Sequence, residues 1–164
     1  MSDRYSKLAP RDLVITMRSL SRRYEEAIGP VRSDPERFAR RDEVIDGFSL
    51  SGHIEGLARH LGLLEKEISK LISQGKPIVN GDALAATPPP AVVDRSIGLD
   101  AAQAALTTST DAIGALLDGC SSEQWSFRAA ATNGIKVRMS DVAQHAARIG
   151  AEGLRVTQTI VDRL

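Results

Sequence analysis

Between Ser49 and Gln74 the apolar residues fall at Ile54, Leu57, Leu61, Leu64, Ile68 and Leu71. The steps alternate three and four, which is the spacing of a helix that faces partners along its whole length. Ser49 and Ser51 are candidate N-caps, and Gly75 with Pro77 ends the run. An earlier run, Leu13, Met17, Leu20, Tyr24 and Ile28, starts at Pro10 and is expected to stop at Gly29-Pro30. A third helix is predicted over about Ser96 to Leu117, with Leu99, Ala102, Leu106, Ser109, Ile113 and Leu116 on its inner side. A fourth starts behind Ser140 as cap and carries Val142, Ala146, Ile149, Gly153, Val156 and Ile160. Its small residues Ala143, Ala146, Ala147, Gly150 and Gly153 would let a neighbour approach closely. Gly47, Gly52, Gly56 and Gly62 read as packing or cap positions.

The connections separate these helices unequally. Residues 30–47 are charged and leave room for a short helical turn between Glu36 and Val44. Residues 118–138 contain Asn133-Gly134, a strong turn signal, with Arg128–Ala131 and Ile135–Val137 as a weak hairpin pair. From Gly75 to about Arg95 the chain holds Pro77, Gly81 and Pro88-Pro89-Pro90, so an extended connection is expected. The second helix would be ~35–40 Å long, and some twenty extended residues can recross that distance. The third helix can therefore run parallel to the second, where a short loop would have forced it antiparallel. These elements predict an all-α fold, a four-helix bundle with a long crossover between its second and third helices, as one domain over 1–164.

Composition refines this picture. With six aromatic residues in 164, the core must be aliphatic. Lysine plus arginine and aspartate plus glutamate balance at 21 each, which argues against a general nucleic-acid or membrane-surface binder. No stretch approaches the ~18 apolar residues of a membrane span, and the charged start (Asp3, Arg4, Lys7) has no apolar leader segment. The lone Cys120 has no internal partner and no base near it in sequence, so it reads as an inert thiol in a reducing, cytoplasmic setting. Phosphate-loop, dinucleotide-glycine, serine-elbow and paired-cysteine patterns are all missing. Arg22-Arg23 and Arg40-Arg41 read as solvated charge, and Trp125 near Phe127 either walls a pocket or plugs the end of the bundle.

The three histidines are the candidates for transition-metal chemistry. His60 lies among Leu57, Ala58 and Leu61, and His145 among Val142, Ala146 and Ile149, both at the edge of an apolar side. If the second and fourth helices are neighbours, the two imidazoles converge; otherwise each is a boundary histidine with an ordinary hydrogen bond. Ligands on one helix normally stand three or four residues apart. His53 and His60 are seven apart, ~10 Å along the axis, so their rings share an ion only by leaning across two turns. Three and four residues after His145 stand Arg148 and Ile149, neither of which can ligate. Asp141, four before, is the one local carboxylate at usable spacing, and a helix-start cap explains it as well.

Three stretches carry a family resemblance: Leu57-Ala58-Arg59-His60-Leu61 with Glu65, Ser121-Ser122-Glu123-Gln124-Trp125, and Asn133-Gly134 leading into Met139–His145. Together they resemble the DinB-like bundles, which include mycothiol-dependent enzymes such as maleylpyruvate isomerase. The resemblance implies an up-down-down-up path and a divalent metal, zinc or nickel, held by one histidine on the second helix and two more, four apart, on a later one. It implies His60 as first ligand and His145 as one of the later pair. Ile149 and Gly153 stand where the last donor would be, so the implied centre is incomplete. Two expectations follow. In the first the protein is a cytoplasmic binding or scaffold module, a homodimer that takes a small thiol or a hydrophobic ligand. In the second it is a metal- and thiol-dependent transferase or isomerase using His60, His145 and a third ligand, His53 or Asp141.

Overall fold

The computed structural model describes residues 4–74, 77–85 and 97–164. Four long helices carry the core: α1 (Pro10–Arg32), α3 (Leu50–Ser73), α4 (Leu99–Asp118) and α6 (Met139–Arg163). Two short helices, α2 (Pro35–Ala39) and α5 (Ser122–Trp125), and three strands, β1 (Ile78–Val79), β2 (Arg128–Ala131) and β3 (Lys136–Arg138), lie between them. The protein is thus mostly helical with a small sheet. α1 and α3 each pack against both α4 and α6. All six apolar positions of the α3 run are buried, as are Leu13, Met17, Leu20, Tyr24 and Ile28 of α1. Tyr24 is the one aromatic side chain fully inside, and its hydroxyl donates to the Gly150 carbonyl at 2.6 Å. No helix among the described residues is long and apolar enough to cross a membrane.

Several boundaries differ from the sequence expectation. α1 continues through Gly29-Pro30 to Arg32. Pro30 forfeits one hydrogen bond on the exposed side of the last turn, while Val31 gains complete burial and the Ser33 N–H closes onto the Gly29 carbonyl at 3.0 Å. Ser49 caps α3 by accepting from the Gly52 N–H at 3.1 Å, whereas Ser51 is buried inside the helix. On α4 it is Leu117 that enters the core and Leu116 that stays half-buried. α6 starts at Met139, ahead of Ser140, because β3 runs straight into it. The Met139 N–H still pairs with the Phe127 carbonyl at 2.9 Å, and the Asp141 carboxylate holds the Arg138 N–H at 2.8 Å. The first turn leaves Ser140 no capping role.

The hairpin forms with Ala129 opposite Val137, and Gly134 takes a left-handed φ of 82° that favours glycine in its turn. The connection after α3 is less open than expected. β1 pairs in parallel with β2, Ile78 against Ala130 and Val79 against Ala131, and a 3-10 turn follows at Gly81–Leu84. The proline triplet, Gly75, Arg95 and Ser96 lie outside the described residues.

Candidate histidine centre

α3 and α6 are neighbours, and His60 and His145 face each other across them with ring centroids 5.8 Å apart, tilted by 60°. His60 stands on the apolar side of α3 between Leu57 and Leu64 and is completely buried. Its Nε2 lies 2.9 Å from the Ala83 carbonyl of the 3-10 turn. A carbonyl only accepts, so Nε2 carries a proton, and in the neutral ring Nδ1 holds the lone pair. That Nδ1 is buried without a hydrogen-bond partner.

His145 is arranged the other way round. Its Nδ1 lies 2.8 Å from a guanidinium nitrogen of Arg148, three residues further along α6. A guanidinium only donates, so Nδ1 must accept, and the proton of the neutral ring sits on Nε2. This Nε2 is buried and makes no full hydrogen bond. Burial first, then the charge of Arg148 and the neighbouring His60, push the His145 pKa down to about 4, while the Ala85 and Ala83 carbonyls pull weakly the other way. At neutral pH the His145 ring is therefore uncharged.

His53 does not join this pair. Its Nε2 donates to the Gly153 carbonyl at 2.9 Å, and its ring stands edge-on to Phe48 at 5.7 Å. Burial lowers its pKa, and the hydrogen bond to Gly153 opposes that. Asp141 is occupied at the start of α6, and Ile149 is buried in the core. Among the described residues no group of three or more His, Cys, Asp or Glu side chains could hold an ion. Cys120 is half-buried at the end of α4, where its thiol donates to the Leu116 carbonyl and burial pushes its pKa up. That is the opposite of an activated nucleophile.

The donor set does not fit a resident metal in this arrangement. A ligating imidazole offers one nitrogen's lone pair while the other donates its N–H to a carbonyl or carboxylate. His60 meets that pattern through Nδ1 and Ala83. His145 does not, because Arg148 takes the lone pair at Nδ1 and leaves a proton on the nitrogen aimed inward. The sequence contained the signal for this lock in the three-residue spacing of His145 and Arg148.

Glu67 is the other buried polar residue that matters here. Its carboxylate accepts from the Asn80 N–H at 3.0 Å and from Lys70 at 2.8 Å, which ties the segment bearing Ala83 onto α3. Glu67→Ala leaves the Asn80 amide without its acceptor and should cost about 1.5 kcal/mol in urea denaturation. Glu67→Gln keeps an acceptor and should cost clearly less. Equal losses in the two variants would mean that the carboxylate does not anchor the segment.

No family model, no curated protein and no solved structure matches this chain.

Proposed function

We propose that this protein is a DinB-like four-helix bundle of the cytoplasm that keeps two interior histidines without the donor set of a metal centre, and that it serves as a non-catalytic binding or scaffold module. The helix directions support the bundle. Arg18 meets Asp118 and Arg32 meets Asp100, so α1 and α4 oppose each other. His53 meets Gly153 and His60 meets His145, so α3 and α6 do too. Glu55 meets Ile97, and Gly62 faces Ser109, so α3 and α4 run the same way. Those relations correspond to an up-down-down-up path with the crossover between α3 and α4.

The observation that carries the functional reading is the Arg148 guanidinium on His145 Nδ1. Elemental analysis after purification without chelator tests it. Wild type should carry far less than one zinc or nickel per chain. Arg148→Met should retain more zinc than wild type, because Nδ1 can then keep the proton and Nε2 can offer its lone pair. Stoichiometric metal in the wild type that disappears in His60→Ala would overturn the proposal. It would favour the second reading, a metal- and thiol-dependent transferase or isomerase, whose supporting observation is the bare, buried Nδ1 of His60. The same proposal takes the working unit to be a homodimer with a small thiol or hydrophobic ligand, and light scattering of the purified chain tests the pairing.

A further inference from the structure

The outer face of the sheet concentrates positive charge in a chain whose total is balanced. β2 and β3 bury Ala129, Ala131 and Val137 and turn Arg128, Ala130, Lys136 and Arg138 outward. Arg128 and Arg138 are direct cross-strand partners. The flanking hydrogen bonds, Met139 N–H to Phe127 O and Ala131 N–H to Ile135 O, put them at a non-hydrogen-bonded position, where the strands bring side chains closest, ~4.5 Å between Cα atoms. Like charges placed so repel each other. Among the described residues none of these three cations pairs with a carboxylate. Asp141 stands nearby, already accepting from the Arg138 N–H.

The two arginines are the shared wall of two open depressions. On one side a cavity of about 240 Å³ is lined by Trp125 and the hydroxyl residues Ser122, Ser126 and Ser140. On the other, a groove of about 740 Å³ runs over Pro77, Ile78, Ala129, Ala130 and Val137, with Ile78 66% exposed. One side offers hydrogen-bond donors and an aromatic wall, and the other an apolar floor.

We propose that Arg128 and Arg138 clamp the oxyanion, phosphate or carboxylate, of a small ligand whose apolar part lies along Ile78 and Ala130. An anion between the guanidiniums replaces their repulsion by two charge-assisted hydrogen bonds, and the serine hydroxyls can complete its coordination. The patch is only one cross-strand pair and one lysine wide, which suits a single anionic group and not a polyanionic backbone. The site is separate from the histidine centre and stands or falls without it.

Trp125 is the only tryptophan, so its fluorescence reports this site alone. Octyl phosphate below its micelle concentration should give a saturable change, with a midpoint well below that of inorganic phosphate. Arg128→Gln and Arg138→Gln should each weaken it about tenfold while circular dichroism stays that of the wild type. A response that survives in the double variant, or that potassium chloride of equal ionic strength reproduces, would overturn the proposal. Binding to phosphatidylglycerol vesicles without any response to octyl phosphate would also overturn it, in favour of a membrane surface as the source of the anion.

Discussion

Gly153→Val should destabilise the fold by about 3 kcal/mol, lowering the melting temperature by roughly 10 °C in a chain of this size. A Cβ at Gly153 would stand 2.5 and 2.6 Å from the two methyls of Leu57 and 2.7 Å from the Tyr24 hydroxyl. Leu57 and Tyr24 are both buried, so neither can swing into solvent. Tyr24 is further held by its hydrogen bond to the Gly150 carbonyl, one turn from the insertion, and Gly150 itself rests on Leu20. The neighbours would have to separate α6 from α1 and α3 at once, which opens the core. Gly153→Ala is milder, because the helical gain of about 1 kcal/mol over glycine offsets part of the clash. Gly62→Ala is the control: its Cβ would meet only the Ser109 hydroxyl, at an ordinary 3.5 Å, and stability should hold or rise. Denaturant midpoints of the three variants measure this series. A Gly153→Val protein as stable as wild type would mean that the three helices do not meet at that height.

That close approach was legible in the sequence, since the small residues Ala143, Ala146, Ala147, Gly150 and Gly153 recur amid the apolar positions of the same helical pattern. The long helices were legible for the same reason: a three-and-four spacing over six positions has no competing strand reading, and α3 shows it most cleanly. What escaped were features decided by residues distant in sequence. Nothing local at Ile78–Val79 says that a two-residue strand will find β2 some fifty residues later, and the glycine and prolines around it suggest only a loop. Pro30 predicts a stop because the rule is local, while the burial of Val31 that carries α1 past it depends on the neighbouring helices. The histidines divide along the same line. The convergence of His60 and His145 follows from their places on two apolar sides only once α3 and α6 are neighbours, which the structure supplies. The tautomer of His145 does not, because the three-residue spacing to Arg148 excludes ligation whether or not the guanidinium also donates to Nδ1. The paired arginines of the hairpin were visible as residues, but their alignment required the register.

Acid should weaken the fold as pH falls below 6.5, and His145 should account for a large part of the loss. An exposed imidazole in the unfolded chain takes a proton near pH 6.5, whereas His145 in the folded protein resists until about 4. Its contribution is therefore complete above pH 6.5 and drains away as pH falls through that window, with nothing more lost below pH 4. Because the ring keeps some solvent contact, the loss is put at about 2 kcal/mol, below what the full shift would imply. His53 adds with the same sign, since burial lowers its pKa as well. Urea midpoints at pH 7 and pH 5 should separate for the wild type and lie much closer together for His145→Gln. Arg148→Met should bring the His145 titration, followed by its ring-proton NMR shifts, back toward the ordinary value, since the cation beside Nδ1 is one of the causes that hold it down. A wild-type ring titrating near 6.5, or equal midpoints at the two pH values, would mean that the pair is open to water and that Arg148 does not lock it. If the lock holds, protonating Nδ1 must expel the guanidinium, because two donors cannot share that position. Acid would then release the same contact that keeps His145 from offering its inward nitrogen.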